Sequence, residues 1–278
     1  MKLTKSILLA SVLSLIMIGC GGGSNTSEKG SLQSEDVSQG TQLATQSVTT
    51  TLNTDKNGKI TTINASSKVE SIAVSKEAIF FAEGENGVEI ISIGYSDKIS
   101  TELLFKIKDI NAKQVILSDD ELTLYVEDEK GYIQIIDISD LTNPVKTGRT
   151  TKQDIDNATF SKNGTYKYIP RGENGLEVVN ISNPSNIHTE STFTISNAFN
   201  VVLVDNDTKA LIATGPVGIN LLDITNPKYI DNIANYRIKG SSVTGLSLNA
   251  SEDILFVATG DKGVLVFNLD ILLHKLGY

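Results

Sequence analysis

One short phrase occurs five times in this chain, and it limits the fold more than any other feature. It begins with a glycine, continues through an apolar alternation and closes on Ser, Asp or Asn: Gly87-VEIIS, Gly131-YIQIID, Gly175-LEVVN, Gly218-INLLD and Gly263-VLVFN. The glycines lie 44, 44, 43 and 45 residues apart, and the closing residues Ser92, Asp137, Asn180, Asp223 and Asn268 keep step at 45, 43, 43 and 45. A fixed period of this size marks a repeat architecture, in which each unit buries its apolar surface against its neighbours. Asn143-Pro144, Asn183-Pro184 and Asn226-Pro227 follow three of the copies, where a chain leaving a strand must turn.

Upstream of each glycine are two short apolar runs joined by a polar turn, as in QVILS-DDE-LTLYV from Gln114, NVVLV-DND-TKALIA from Asn200 and GLSLN-ASED-ILFVA from Gly245. Such runs are strand patterns, and the Asn, Asp and Gly between them form turns. A more polar fourth run, such as ESTFTI from Glu190, brings each unit to four antiparallel strands, the content of a propeller blade. The expected fold class is all-β: a β-propeller of five blades, near 68–110, 111–153, 154–198, 199–242 and 243–270. The fifth copy is incomplete, because the chain ends on ILLHKLGY, which reads as a helical turn. Residues 46–64, QSVTTTLNTDKNGKITTIN, read as a hairpin turning at Asn57-Gly58 that supplies the missing outer strand and closes the ring.

Over residues 68–270, the period and the phrase Gly-apolar-Asp-Ile-Ser…Asn-Pro resemble the LVIVP-repeat family of bacterial and archaeal cell-surface proteins. Gly131-YIQIIDISDLTNP and Gly218-INLLDITNP match well, whereas Gly87-VEIISIGYSDKIS lacks the proline. The resemblance implies propeller-like blades displayed at the cell surface.

The N-terminus reads as a secretion signal. Lys2 and Lys5 precede ILLASVLSLIMI, apolar from Ile7 to Ile18 except for two serines. This run is shorter than the roughly 20 apolar residues that span a bilayer, and it stops at Gly19-Cys20-Gly21-Gly22-Gly23. Met17-Ile18-Gly19-Cys20 resembles the lipobox of bacterial lipoproteins. That resemblance implies a diacylglycerol on Cys20, cleavage before it and an acylated N-terminus, with palmitate among the chains. At about 0.8 kcal/mol per buried methylene, two or three chains hold a protein durably where one would not. Residues 1–19 are thus expected as signal peptide, 20–45 as a lipidated flexible tether poor in apolar side chains, and 46–278 as the propeller. The expected location is the cell envelope, lipid-anchored at the outer membrane or cell surface.

Few groups offer chemistry. The formal charge is −9, and −11 without residues 1–19, a balance that repels phosphate backbones and argues against a nucleic-acid partner. Cys20 is the single cysteine, and His188 and His274 are the two histidines, so no Cys/His metal set or Cys-His pair is expected, and no cofactor. No Gly-x-Ser-x-Gly elbow occurs. Two positions before the repeat glycines stand Glu85, Glu129, Glu173, Pro216 and Asp261, so four of five blades would put a carboxylate on one rim, a possible binding ring. Turn chemistry in an acidic protein explains the same pattern. Asp119-Asp120-Glu121 and Asp205-Asn206-Asp207 lack the spacing of a twelve-residue Ca²⁺ loop and read as turns, while Asp137, Asn180, Asp223 and Asn268 are expected to hydrogen-bond the turn that follows.

The expected function is a monomeric, non-enzymatic binding module that meets the membrane through its lipid anchor and takes an unknown protein or glycan partner. The alternative is a Ca²⁺-dependent, lactonase-like hydrolase of the envelope. It would need acidic or amide side chains pointing at the axis from the first strand of each blade, and VESIAV, QVILS, NATFS, NVVLV and GLSLN are largely apolar or small. Fold alone decides neither, since propellers host many activities.

Overall fold

In the computed structural model, which describes residues 52–277 other than 97, 119 and 152–157, twenty strands form five sheets of four antiparallel strands. The segments expected as signal peptide and tether, with Cys20, lie outside the described residues. Blade 1 comprises β2 (Ser71–Val74), β3 (Ala78–Ala82), β4 (Val88–Tyr95) and β5 (Ile99–Ile107), and blade 2 comprises β6 (Ala112–Leu117), β7 (Thr123–Asp128), β8 (Tyr132–Asp137) and β9 (Val145–Thr151). Blade 3 is β10 (Thr159–Phe160), β11 (Tyr166–Pro170), β12 (Leu176–Asn180) and β13 (His188–Phe193), and blade 4 is β14 (Asn200–Val204), β15 (Lys209–Ala213), β16 (Ile219–Asp223) and β17 (Asp231–Tyr236).

Blade 5 is assembled from both ends of the chain. It has β18 (Gly245–Leu248), β19 (Ile254–Ala258) and β20 (Val264–Asn268), and its outer strand is β1 (Lys59–Ile63), antiparallel to β20 with Ile63 opposite Val264. The N-terminal segment therefore closes the ring as expected. Asp55 makes the turn before β1, its Oδ1 accepting from the amides of Asn57 (2.8 Å) and Lys59 (3.0 Å). Residues 52–55 form no strand, so the described part of the segment gives one strand and not a hairpin. The tail forms α1 (Leu269–Lys275), capped by Asn268, whose side chain accepts from the Ile271 amide at 3.0 Å.

Middle strands carry the core. AIFFA in β3, KALIA in β15 and ILFVA in β19 are buried at every residue, because both faces of these sheets are covered by neighbouring blades. Outer strands such as β13 (HTESTF) and β17 (DNIANY) stay half-wet. Apolar clusters fill the seams between blades 1 and 2, 3 and 4, 4 and 5, and 5 and 1. Single bridges tie the same seams: Gly84 to Ala112, Gly172 to Ala198, Gly215 to Val243, and Gly260 to Val69.

The strand register locates a one-residue slip in blade 2. The closing polar residues are in phase, since Ser92, Asp137, Asn180, Asp223 and Asn268 each face the first residue of their blade's second strand. The glycines are not. A Cβ on Gly87, Gly175, Gly218 or Gly263 would come within 2.0 to 2.5 Å of an outer-strand carbonyl, whereas one on Gly131 would meet nothing within 4 Å. Pairing of Glu127 with Ile133, against Ala82 with Val88, puts Tyr132 at the Gly87 position and Gly131 one place earlier. A similar slip affects the prolines. Asp140, Asn183 and Asn226 occupy one position, each accepting from the amide two residues on at 2.9 to 3.2 Å, so Asn143-Pro144 falls three residues past the turn that the other two pairs make.

Candidate functional site

Two sets of turns define the two faces of the ring. Turns between first and second strands lie on one face, and there carboxylates clip neighbours together. Glu121 of blade 2 accepts from the Lys76 amide of blade 1 (3.2 Å), Asp207 of blade 4 accepts from the Lys162 amide of blade 3 (2.5 Å), and Lys162 Nζ pairs with Glu252 at 2.7 Å. The closing residues act locally on this side, as expected. Asp137, Asn180 and Asp223 accept from the amides of Ser139, Ser182 and Thr225 at 2.9 to 3.1 Å. Hydrogen bonds from the Ser139 and Thr225 groups hold the carboxyls of Asp137 and Asp223 below the usual range, and those from Thr142 do so for Asp140.

The other face carries the turns between second and third strands and the connections that enter each blade. At its centre is a funnel of about 660 Å³ to which all five blades contribute. Its wall alternates charged, amide, hydroxyl and aromatic groups, among them Lys68, Glu70, Lys113, Arg171, Phe199 and Thr244. Below it the inner strands bind one another: Thr159 Oγ1 donates to the Val201 carbonyl (2.7 Å), the Leu246 amide to Asn200 Oδ1 (3.0 Å), and Thr244 Oγ1 to the Val69 carbonyl (3.2 Å).

The repeat explains how these side chains reach the funnel. Val69, Ala112, Ala198 and Val243 make the bridges to the preceding blade, so their backbones are fixed in the same way. The next residue in each blade is Glu70, Lys113, Phe199 or Thr244, and all four line the funnel. One geometric position thus carries an acid, a base, an aromatic ring and a hydroxyl. Lys68 pairs with Glu70 at 3.1 Å, and Arg171 with Glu177 at 2.6 Å. Thr189's hydroxyl, and then Arg171, keep the Glu177 carboxyl below its ordinary range.

The carboxylates singled out from the sequence stand on this face but outside the funnel. Glu85, Glu173 and Asp261 are exposed tips of Gly-x-x-Gly turns, with Pro216 at the same place in blade 4. The slip in blade 2 gives that place to Lys130, while Glu129, one position earlier, accepts from Asn111 Nδ2 at 2.8 Å. Asp261 lines an adjoining cavity of about 590 Å³, and Glu129 one of about 180 Å³. Both histidines are exposed: His188 lies 3.1 Å from the Asn186 carbonyl and 3.7 Å from Glu190, and His274 is in the last turn of α1. No group of three or more His, Cys, Asp or Glu side chains able to hold a metal ion occurs among the described residues. Cys20 is outside them.

A second polar cluster lies at the closing seam. Glu83 and Glu89, with side chains 0% and 4% exposed, share Lys106 Nζ at 3.2 and 3.0 Å. They also hold the connector from β1 to β2: the Ser67 amide donates to Glu83 (3.0 Å), and the amide and hydroxyl of Ser66 donate to Glu89. Burial pushes the Glu83 carboxyl up, with the charge of Glu89 adding to the push against the Ser67 and Lys106 hydrogen bonds. Burial opposes the charge on Lys106, but the two carboxylates outweigh it and raise its pKa.

Comparison with known proteins agrees with this architecture. No curated protein sequence matches the chain. Among solved structures, the crystal structure of the mitotic checkpoint complex contains a chain that superposes with a TM-score of 0.55 at 10% identity, over 78% of this chain and 96% of that one. The RRP9 WD40 repeats give 0.48 at 9% identity, over 74% and 96%. A functionally unknown protein from Desulfotomaculum acetoxidans DSM 771 gives 0.38 at 15%, over 74% and 70%. At such identities the first likeness shows the fold alone. The LVIVD repeat model matches residues 111–151 and 161–194, the body of blades 2 and 3. This is the repeat that the Gly-apolar-Asp phrase pointed to, and the chain is a five-bladed β-propeller whose blades 2 and 3 match the LVIVD repeat.

Proposed function

We propose that this protein is a lipid-anchored, extracytoplasmic binding module without enzymatic activity, held to the envelope through Cys20 and taking its ligand in the funnel. The observation that carries the reading is the divergence of Glu70, Lys113, Phe199 and Thr244 at one repeated backbone position. A purely structural position in a repeat is filled alike from blade to blade, as the bridging glycines are. Four different chemistries aimed into one concave space make a surface specialised for a partner, as concave binding sites are. The Ile7–Ile18 run and Gly19-Cys20 support the anchor.

Photo-crosslinking on intact cells tests this, with the reactive residue placed at Phe199 or, as control, at Leu122 on the opposite face. Cells fed radioactive palmitate should label the protein, and Cys20→Ser should not be labelled. A discrete adduct from position 199 alone is expected. Equal adducts from both positions, or none from either, would overturn the binding role, and palmitate retained by Cys20→Ser would overturn the anchor.

A further inference from the structure

The funnel is one end of a longer groove. It shares Lys68 and Ser242 with the adjoining 590 Å³ cavity. A Cβ on Gly215 would lie 3.0 Å from the Phe199 ring and 3.5 Å from Ser242 Oγ, so the absence of a side chain there lets the ring lie down beside the serine. Phe199 is 42% exposed, a flat apolar surface at the funnel end.

The other end is cationic. Arg237 lines the cavity and makes no hydrogen bond or ion pair among the described residues. Ser241 Oγ, in the same wall, is buried without a hydrogen-bond partner. Lys262 is held by a neutral group, its Nζ donating to the Lys239 carbonyl at 2.9 Å, so its charge is oriented but not cancelled. Asp261 is the single carboxylate among the residues lining this end. Arg237 and Lys262 are both exposed on this wall, so an oxyanion entering from solvent can meet the two cations there.

We propose that this groove binds an acidic glycan, with the apolar face of a sugar ring on Phe199 and an acid group of the chain at Arg237 and Lys262. The inference rests on reading this face as the ligand-binding face. Ring stacking suits an aromatic platform beside amide and hydroxyl donors. The acid group is a uronic carboxylate or a sulfate ester, and the same cations serve both. Because the protein carries a formal charge of −9, acidic polymers are repelled by its surface at large, and attraction must come from a local site.

Affinity electrophoresis of the full chain in native gels containing polygalacturonate, dextran sulfate or neutral dextran tests the proposal. Retardation by at least one acidic polymer and none by dextran is expected, and which polymer retards identifies the acid group. Arg237→Gln and Phe199→Ser should each weaken retardation at least tenfold in polymer concentration, with melting temperatures unchanged. Retardation by neither acidic polymer, equal retardation by dextran, or undiminished retardation of both variants would overturn it. Should position 199 crosslink on cells while neither polymer retards the protein, the binding role stands and the glycan assignment falls.

Discussion

Blade 5 and blade 2 solve the same packing problem from opposite starting points. Blade 2 is continuous in the chain and lies within the family match, whereas blade 5 is joined across the chain ends and lies outside it. Yet blade 5 has apolar clusters on both sides, and blade 2, among the described residues, has one on the side of blade 1 only. Blade 5 is also flanked by α1 and by the buried Glu83, Glu89 and Lys106 set, which grips the connector leaving β1. Closeness to the repeat phrase and strength of packing are therefore separate properties. A blade without covalent continuity relies on burial, and blade 5 has it on both sides while keeping the phrase in Gly263-VLVFN.

Removing β1 should break the comparison outright. Deletion of 46–64 leaves β20 as an open edge and uncovers the cluster around Phe256 and Val266, at a cost of about 4 kcal/mol or more, with aggregation. Deletion of 21–41 should leave the melting temperature nearly unchanged. Equal melting curves for the two truncations would show that the ring does not depend on β1.

Lys106→Met asks whether the polar set is part of closure. Removing one partner of a buried ionic group costs about 3 kcal/mol, since two carboxylates then lack their cation. Glu83 already has a folded-state pKa above its ordinary value, and without Lys106 it should rise further. A raised carboxyl pKa means that the folded state holds the proton more tightly. The penalty is then full at pH above the folded pKa and shrinks as pH falls toward the ordinary carboxylate range. Denaturant melts at pH 7 and pH 5 should show the variant recovering part of its loss at the lower pH; a loss equal at both would assign the effect to packing.

The smallest contrast is between two glycines. Gly263→Ala places a methyl 2.5 Å from the Ile63 carbonyl and should cost about 2–3 kcal/mol, whereas Gly131→Ala, with open space and only a positive φ of 77° to oppose it, should cost about 1 kcal/mol. Equal losses in denaturant titrations would remove the register slip as their explanation.

The sequence made the repeat, the blade count and the closing segment legible because each rests on local patterns: alternation, turn formers and a fixed period. Gly131 and Asn143-Pro144 misled by one and three residues because a glycine or proline fits more than one place in a turn. The closing polar residue, which must face the start of the second strand, kept the true phase. The funnel escaped for a different reason. Lys68, Lys113, Arg171 and Phe199 sit outside the recurring phrase, and their convergence follows from the ring and not from chain order. Aligning the blades on the bridging residues, and asking which neighbouring position varies most, would have exposed Glu70, Lys113, Phe199 and Thr244.

The placement of β1 also fixes an order of events. Val264 is synthesised ~200 residues after its partner Ile63. Until then a five-residue strand with a half-apolar face has no sheet to join, and the fifth blade cannot exist. Closure of this ring therefore waits for β20 to be made, with the slow rate expected of a contact so distant in sequence. The earlier blades can form in the meantime, and the last act is the capture of β1 by β20.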